Sequence, residues 1–126
     1  MSGNKEIGVI MENKIQVFKN QKFGELRTVV KNGEPWFVAK DVCDALEISN
    51  PTIAVSRLDD DEVAKFNLGG LSGESNVVSE SGLYSLVLGS RKPSAHEFKR
   101  WVTHDVIPTI RKTGGYVAND NLFIDT

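Results

Sequence analysis

The residues most able to do chemistry in this chain do not combine into a catalytic or metal site. His96 is followed by glutamate and begins the His-Glu-x-x-His pattern of zinc proteases, but Arg100 stands where the second histidine belongs. His104 lies eight residues further along without the cysteine pair that would complete a zinc site. Ser81 lacks the Gly-x-Ser-x-Gly frame of a hydrolase nucleophile. We therefore predict a protein that is not an enzyme and needs no metal or cofactor.

Cysteine usage and hydropathy indicate where such a protein works. The lone Cys43 cannot form an internal disulfide, and its apolar helical surroundings predict a reduced, buried thiol. No apolar run approaches the roughly 20 residues that a membrane span requires. The N-terminus lacks the charged start and long apolar region of a secretory signal. We expect a protein of the host cytoplasm without membrane contact.

Positive charge is concentrated towards the C-terminus, although the net charge of the chain is −2. Residues 91–113 carry six Lys or Arg against two Asp or Glu, whereas residues 41–80 carry two against nine. The basic residues lie opposite an apolar helical face, so we predict an exposed surface that binds nucleic-acid phosphates. Ordinary solvated charge without a function is the alternative. The predicted contacts in this segment are Arg91, Lys92, His96, Lys99, Arg100, Arg111 and Lys112.

Specific expectations attach to three residues of this helix. Trp101 lies at the centre of the apolar face and is predicted to be buried against the N-terminal sheet. Pro108 has no N–H, so the helix is predicted to end or kink there, and Gly114-Gly115 to stop the final turn. Asp105 falls in the apolar stripe by helical angle. It is expected either to cap a restarted last turn, which we favour, or to form a buried ion pair.

The first part of the chain predicts strands. Residues 15–18 and 26–31 have strand-like patterns, and Asn32-Gly33 is typical of a two-residue hairpin turn before a return strand at 34–38. Both faces of the return strand are apolar, which indicates cover on both sides. Trp36 is interpreted as a core anchor.

Residues 41–58 resemble a helix-turn-helix. The first helix opens at Lys40, and the second runs from Pro51 to about Leu58, with Ile53 as its apolar anchor and Val55 or Leu58 buried beside it. Glu47 stands where the turn usually has glycine, and a left-handed conformation there costs on the order of 1 kcal/mol. The predicted DNA contacts in this unit are Lys40, Thr52 and Arg57.

An acidic run follows the second helix directly. Its four members would repel any phosphate within a Debye length of about 8 Å. One interpretation is a solvated loop that ends the helix, and the other is a docking patch for a basic protein. The run consists of Asp59, Asp60, Asp61 and Glu62.

Two long segments resemble a known family. GLYSLVLGSRKPSAHEFKRWVTHDVIPTIRKTGGY is similar to the signature half of the BRO-N domain, found at the N-terminus of phage antirepressors and baculovirus BRO proteins. GEPWFVAKDVCDALEISNP resembles the other half. The resemblance extends from about Ile15 to Tyr116. It implies a prophage or viral regulator whose N-terminal domain binds nucleic acid.

Pattern and resemblance together predict an α+β fold. We expect a small antiparallel sheet with an N-terminal hairpin, packed against several helices that include the helix-turn-helix-like unit. Residues 1–14 are expected to be a tail, 15–116 the domain, and 117–126 a tail or the start of a linker to a C-terminal domain.

The expected function is that of a DNA-binding regulatory module of an antirepressor-like protein. The alternative is an interaction module that binds and inactivates a phage repressor without touching DNA. The expected partners are thus DNA or a phage repressor, and a homodimer is left open.

Overall fold

A computed structural model describes residues 15–69 and 73–113, so the predicted tails and the glycine stop lie outside the described residues. The strands are all antiparallel, in the order β1-β2-β3-β5-β4. They are β1 (Ile15–Asn20), β2 (Gly24–Lys31), β3 (Glu34–Val38), β4 (Val63–Asn67) and β5 (Glu74–Val78). The helices are α1 (Ala39–Ala45), α2 (Pro51–Ser56), α3 (Glu80–Leu88), α4 (Ala95–Trp101) and α5 (Ile107–Thr113). The predicted α+β class is confirmed.

The β2–β3 hairpin turns where the sequence predicts it. Asn32 and Gly33 have φ angles of 54° and 79°, the pair of positive values that a two-residue turn needs. The turn fixes the register, which pairs Val29 with Trp36. The register in turn decides which side chains of β3 face the helices.

The sheet is buried on both faces, as the apolar pattern of β3 predicts. Phe37 lies in the main core between the sheet and the helices. Val38, its neighbour, belongs to a second cluster with Val29 and Val77 on the other face. Trp36 is half-buried and packs against the second cluster, so it is an anchor of that smaller cluster and not of the main core.

A π-helical segment, Val102–Val106, joins α4 to α5 into one continuous helical stretch, which we call the rod (residues 95–113). The N–H of Ile107 donates to the carbonyl of Val102, five residues back. The hydroxyl of Thr103 donates to the Lys99 carbonyl at 3.0 Å. The helix therefore does not end at Pro108, because the wider turn carries the chain past the proline.

The π segment also decides where Asp105 lies. One extra residue in a turn rotates everything after it by about 100° relative to an unbroken α-helix. Ile107 and Ile110 consequently enter the core, and Asp105 moves out to solvent. Within residues 15–69 and 73–113 its carboxylate makes no ion pair and no hydrogen bond. Both expectations for Asp105, the cap and the buried pair, are wrong.

Trp101 lies at the edge of the apolar face of the rod and not at its centre. Phe98, Val102 and Ile110 are fully buried, whereas Trp101 is only partly buried. The Trp101 ring stacks on Phe23, in the turn between β1 and β2, at 6.2 Å between centroids. Trp101 thus covers the margin of the core beside the N-terminal sheet, so the prediction that it is buried against that sheet is met only in part.

Candidate nucleic-acid interface

The turn between α1 and α2 is closed by backbone hydrogen bonds. The N–H of Ile48 donates to the Cys43 carbonyl at 2.9 Å, and that of Glu47 to the Asp44 carbonyl at 3.1 Å. This is the Schellman arrangement, which places the residue after the helix end in the left-handed region. Glu47 has a φ of 54°, as predicted for the position where glycine is usual. Asn50 then caps α2 by accepting from a backbone N–H of its first turn.

Helix α2 lies on the surface and contributes no fully buried residue. Ile53 is 45% exposed, so the prediction of a buried anchor at this position is wrong. Val55 and Leu58 make the partial contacts that hold α2 to the core. Thr52 and Arg57 are exposed, as a role in binding requires.

Lys92 has an internal role that its sequence position does not reveal. Its Nζ donates to the Ala45 carbonyl at 3.1 Å and lies 3.0 Å from the Glu47 carboxylate. The nearby Ser90 hydroxyl donates to the Leu46 carbonyl at 3.3 Å. Carbonyls in the last turn of a helix lack helical partners, so these contacts cap α1. With a side chain only 19% exposed, Lys92 is a positioning residue first.

Lys40 and Thr52 lie together in a shallow depression of about 200 Å³. Lys40 pairs with Asp44 at 2.8 Å, and this hydrogen bond raises the pKa of Lys40 above its ordinary value. Arg27 lines the same depression, with its Nε and Nη2 at 2.8 and 2.9 Å from the nearly buried carboxylate of Asp41. Each cation has its own acid, so this corner of the molecule is close to neutral.

Tyr84 of α3 contacts the rod at Lys99. The Lys99 ammonium lies 5.6 Å from the centroid of its ring, within cation–π range. The Tyr84 hydroxyl donates to Glu80 at 2.7 Å. Burial first, and then this hydrogen bond, raise the pKa of Tyr84, while the charge of Arg111 acts in the opposite direction. Lys99 is therefore placed against an aromatic side chain of the neighbouring helix.

Within the basic segment, residues 91–113, five of the predicted cationic contacts are exposed and have no acidic partner within ion-pair distance among residues 15–69 and 73–113. His96 is exposed with them, so the predicted joint exposure of His96, Lys99 and Arg100 is confirmed. We call the four cations on the rod the basic face: Lys99, Arg100, Arg111 and Lys112. Arg91, the fifth, lies in the loop before α4.

The acidic run divides into two parts. Glu62 is half-buried and links elements, since its carboxylate accepts from the Asp59 N–H at 3.0 Å and from the Ser81 hydroxyl at 2.9 Å. Its carbonyl would lie 3.0 Å from a Cβ placed at Gly82, so α3 packs closely against it. Only the first three acids, Asp59, Asp60 and Asp61, are exposed.

Features that would point to other functions are not found in the described part of the chain. Cys43 is fully buried, as predicted, and burial raises the pKa of its thiol. No group of three or more His, Cys, Asp or Glu residues among those described lies close enough to hold a metal ion. No helix in the described ranges combines the length and apolar character needed to cross a membrane.

Comparisons with known proteins give a family match and several relatives. The model of the BRO family, N-terminal domain, matches residues 25–108. An uncharacterized protein of Haemophilus influenzae is 37% identical over 112 residues, which cover 84% of this chain and 55% of the relative. Bro-N domain-containing protein 289L of Invertebrate iridescent virus 6 is 31% identical over 111 residues, covering 70% of this chain and 26% of the viral protein. The chain thus spans about half or less of these relatives. No solved structure matches it significantly.

Proposed function

The chain belongs to the BRO family through that family's N-terminal domain, and from this premise we propose that it is a regulatory module that binds duplex DNA mainly through phosphate contacts. The observation that carries the proposal is the basic face. Four exposed cations lie on one rigid helical rod, without an acid to neutralise them among the described residues. Cations of this kind release counterions from DNA when they bind, which provides affinity for any sequence.

The π segment brings the two cation pairs to the same side of the rod. Positions twelve residues apart, such as Lys99 and Arg111, differ by about 120° in an unbroken α-helix. The extra residue of the π turn removes about 100° of that difference. The two pairs are then separated by roughly 18 Å along nearly one line, at a rise of about 1.5 Å per residue. A DNA duplex presents one charge per about 1.7 Å, so both pairs can meet phosphates together.

Base contacts would come from α2 in this proposal. Its exposed side offers a hydroxyl at Thr52, a branched methyl surface at Ile53 and a guanidinium at Arg57. These groups suit, respectively, polar base edges, the thymine methyl group and the paired acceptors of guanine. Phosphate contacts from the basic face would set affinity, and α2 would set preference among sequences.

Fluorescence anisotropy of a labelled mixed-sequence duplex, measured across a salt series, tests the proposal. The double variant Lys99→Ala/Arg100→Ala should bind more weakly to every sequence and flatten the salt slope by about two, one per lost phosphate contact. Lys19→Ala/Lys65→Ala removes the same charge from exposed strand positions and is the matched control. Equal slopes for the two double variants would contradict the basic face as the binding surface.

A second candidate function, binding to a phage repressor, is favoured by one separate observation. A groove of about 450 Å³ between α2 and α3 exposes Ile53 and is lined by Leu58 and Leu86, close in sequence to the exposed acids Asp59–Asp61. An apolar groove beside negative charge would suit a basic, partly apolar protein surface. Ile53→Asp should then abolish capture of a purified phage repressor, whereas Lys99→Ala/Arg100→Ala should leave that capture unchanged. Retained capture would count against this candidate.

A further inference from the structure

We propose that the cleft between the α1–α2 turn and the loop before α4 is a binding site for a backbone phosphate, and that Glu47 occupies it as an internal competitor in the free protein. The inference rests on the proposed DNA binding and names one contact and one regulating residue within it.

The cleft holds the chemistry that an anion needs. It encloses about 460 Å³, ample for a phosphate group. Arg91 and Lys92 line it from one wall, and Ser49 lines it from the other. Two cations and a hydroxyl provide donors from both sides, in the way that phosphate sites do. The Glu47 carboxylate is the single acid among the lining residues.

Lys92 is the fixed part of this site. Its side chain is 19% exposed, its Nζ is held by the Ala45 carbonyl, and the Phe23 ring lies 5.8 Å away. These contacts place the ammonium at the edge of the cleft before any ligand arrives. An ammonium has three protons to donate, and the Ala45 carbonyl uses one of them. The protons on the cleft side remain for an acid or a phosphate.

Glu47 is the exchangeable part. Its side chain is 70% exposed, so water already competes for the carboxylate that lies 3.0 Å from Lys92. An ion pair whose acid is this exposed contributes little, so replacing the Glu47 carboxylate by a phosphate costs little free energy.

The backbone at Glu47 indicates that the carboxylate is there for a reason other than the turn. At a φ of 54°, glycine or asparagine would fit with less strain. The pair with Lys92 is the side-chain interaction that Glu47 makes among the described residues. Strain retained at one residue together with a charge contact is typical of functional positions. The negative charge of Glu47 would repel weakly binding anions from the cleft.

Duplex binding by Glu47→Gln tests the competition directly. Without the carboxylate, Lys92 is free for a phosphate, so affinity should rise about twofold to fivefold, the range for one exposed ion pair. The salt slope should steepen by about one for the added phosphate contact. Glu25→Gln is the matched control, because it also removes the acid of an exposed Lys–Glu pair, with Lys19, away from the cleft. It should leave affinity within about 1.5-fold of the wild type, since a single distant charge is screened.

A double variant and a second probe separate the possible outcomes. In a Lys92→Gln background, checked for folding by circular dichroism, the gain from Glu47→Gln should disappear. A gain that persists there, or one that Glu25→Gln matches, overturns the inference. Duplex binding by the wild type with no change in Glu47→Gln refutes this inference alone, whereas no duplex binding by either protein at low salt refutes the proposed function. Inorganic phosphate is the remaining probe. If it displaces the duplex from Glu47→Gln at low concentration, the site serves free phosphate and the assignment to the DNA backbone is wrong.

Discussion

The surroundings of α1 and the rod carry similar cations but use them in opposite ways. Around α1, Arg27 of β2, Lys40 of α1 itself and Lys92 of the loop before α4 each contact an acid within 3.0 Å. On the rod the four cations of the basic face have no such partner among the described residues. The difference teaches that the number of Lys and Arg residues in a segment does not measure the positive charge it can offer to a ligand. The ion pairs that form on folding decide how much positive charge remains available to a ligand.

The largest expected effect concerns the inner side of the rod. Phe98 is fully buried and contacts Phe23 edge-to-face at 5.3 Å between centroids. Phe98→Ala should lower the free energy of unfolding by about 3–5 kcal/mol, and Trp101→Ala by about half as much, because Trp101 is only partly buried. Urea denaturation measures both. A larger loss from Trp101→Ala would restore the view that this ring is the centre of the core.

The next effect compares two aspartates. Asp41 is 8% exposed and accepts three hydrogen bonds from Arg27, including one from its backbone N–H at 2.9 Å. Asp41→Asn should lower the free energy of unfolding by about 2 kcal/mol, after a discount for the partly exposed guanidinium. Asp105→Asn is the matched control and should change it by less than about 0.5 kcal/mol. Similar losses in the two variants would mean that Asp105 has a partner of its own.

A smaller effect compares two lysines of the basic segment directly. Lys92→Ala should lower the free energy of unfolding by about 1 kcal/mol, because the carbonyls at the end of α1 lose a donor. Lys112→Ala should leave stability unchanged and reduce the salt slope of DNA binding by about one. Melting temperature and anisotropy, measured on both variants, show whether Lys92 serves stability and Lys112 serves DNA binding. A loss of stability in Lys112→Ala but not in Lys92→Ala would contradict these two roles.

The smallest expected effect concerns the left-handed turn. Glu47→Gly relieves on the order of 1 kcal/mol of backbone strain and gives up an exposed pair of at most that size. We expect a net stabilisation of a few tenths of a kcal/mol, visible as a slightly higher melting temperature. Glu47→Val, which keeps the strain and adds a β-branch, should instead destabilise the protein.

The sequence predicts correctly those features that depend on residues close together in the chain. Asn32 and Gly33 specify their turn by themselves, and the turn position of Glu47 follows from where α1 and α2 begin and end. The exposure of Lys99 and Arg100 follows from the apolar stripe opposite them. Each of these features depends on residues a few positions apart.

Features that depend on distant partners could not be predicted in this way. Lys92 reaches a carbonyl 47 residues earlier in the chain, and nothing near it in the sequence indicates that contact. Arg27 of β2 pairs with Asp41 of α1, 14 residues later in the chain, and its place in the depression is not predicted for the same reason. Ile53 is predicted to be buried together with Val55 or Leu58, but only Val55 and Leu58 pack against the core and Ile53 stays exposed. The error at Asp105 has another origin, since it assumed a constant number of residues per helical turn.

The π segment makes chain length, and not only residue type, a determinant of the surface. Deleting one residue between Val102 and Val106 would restore regular α geometry and leave the last helix at nearly the same angle about its axis, because the wider turn already absorbs that residue. Ile107 and Ile110 would stay against the core, and Arg111 and Lys112 would stay on the side that Lys99 and Arg100 occupy. One further residue that the turn does not absorb would instead rotate the last helix by about 100° and separate the two pairs of cations. A lineage could therefore lose the extra residue and keep its surface, whereas an added residue would rearrange the charges without changing a single charged residue.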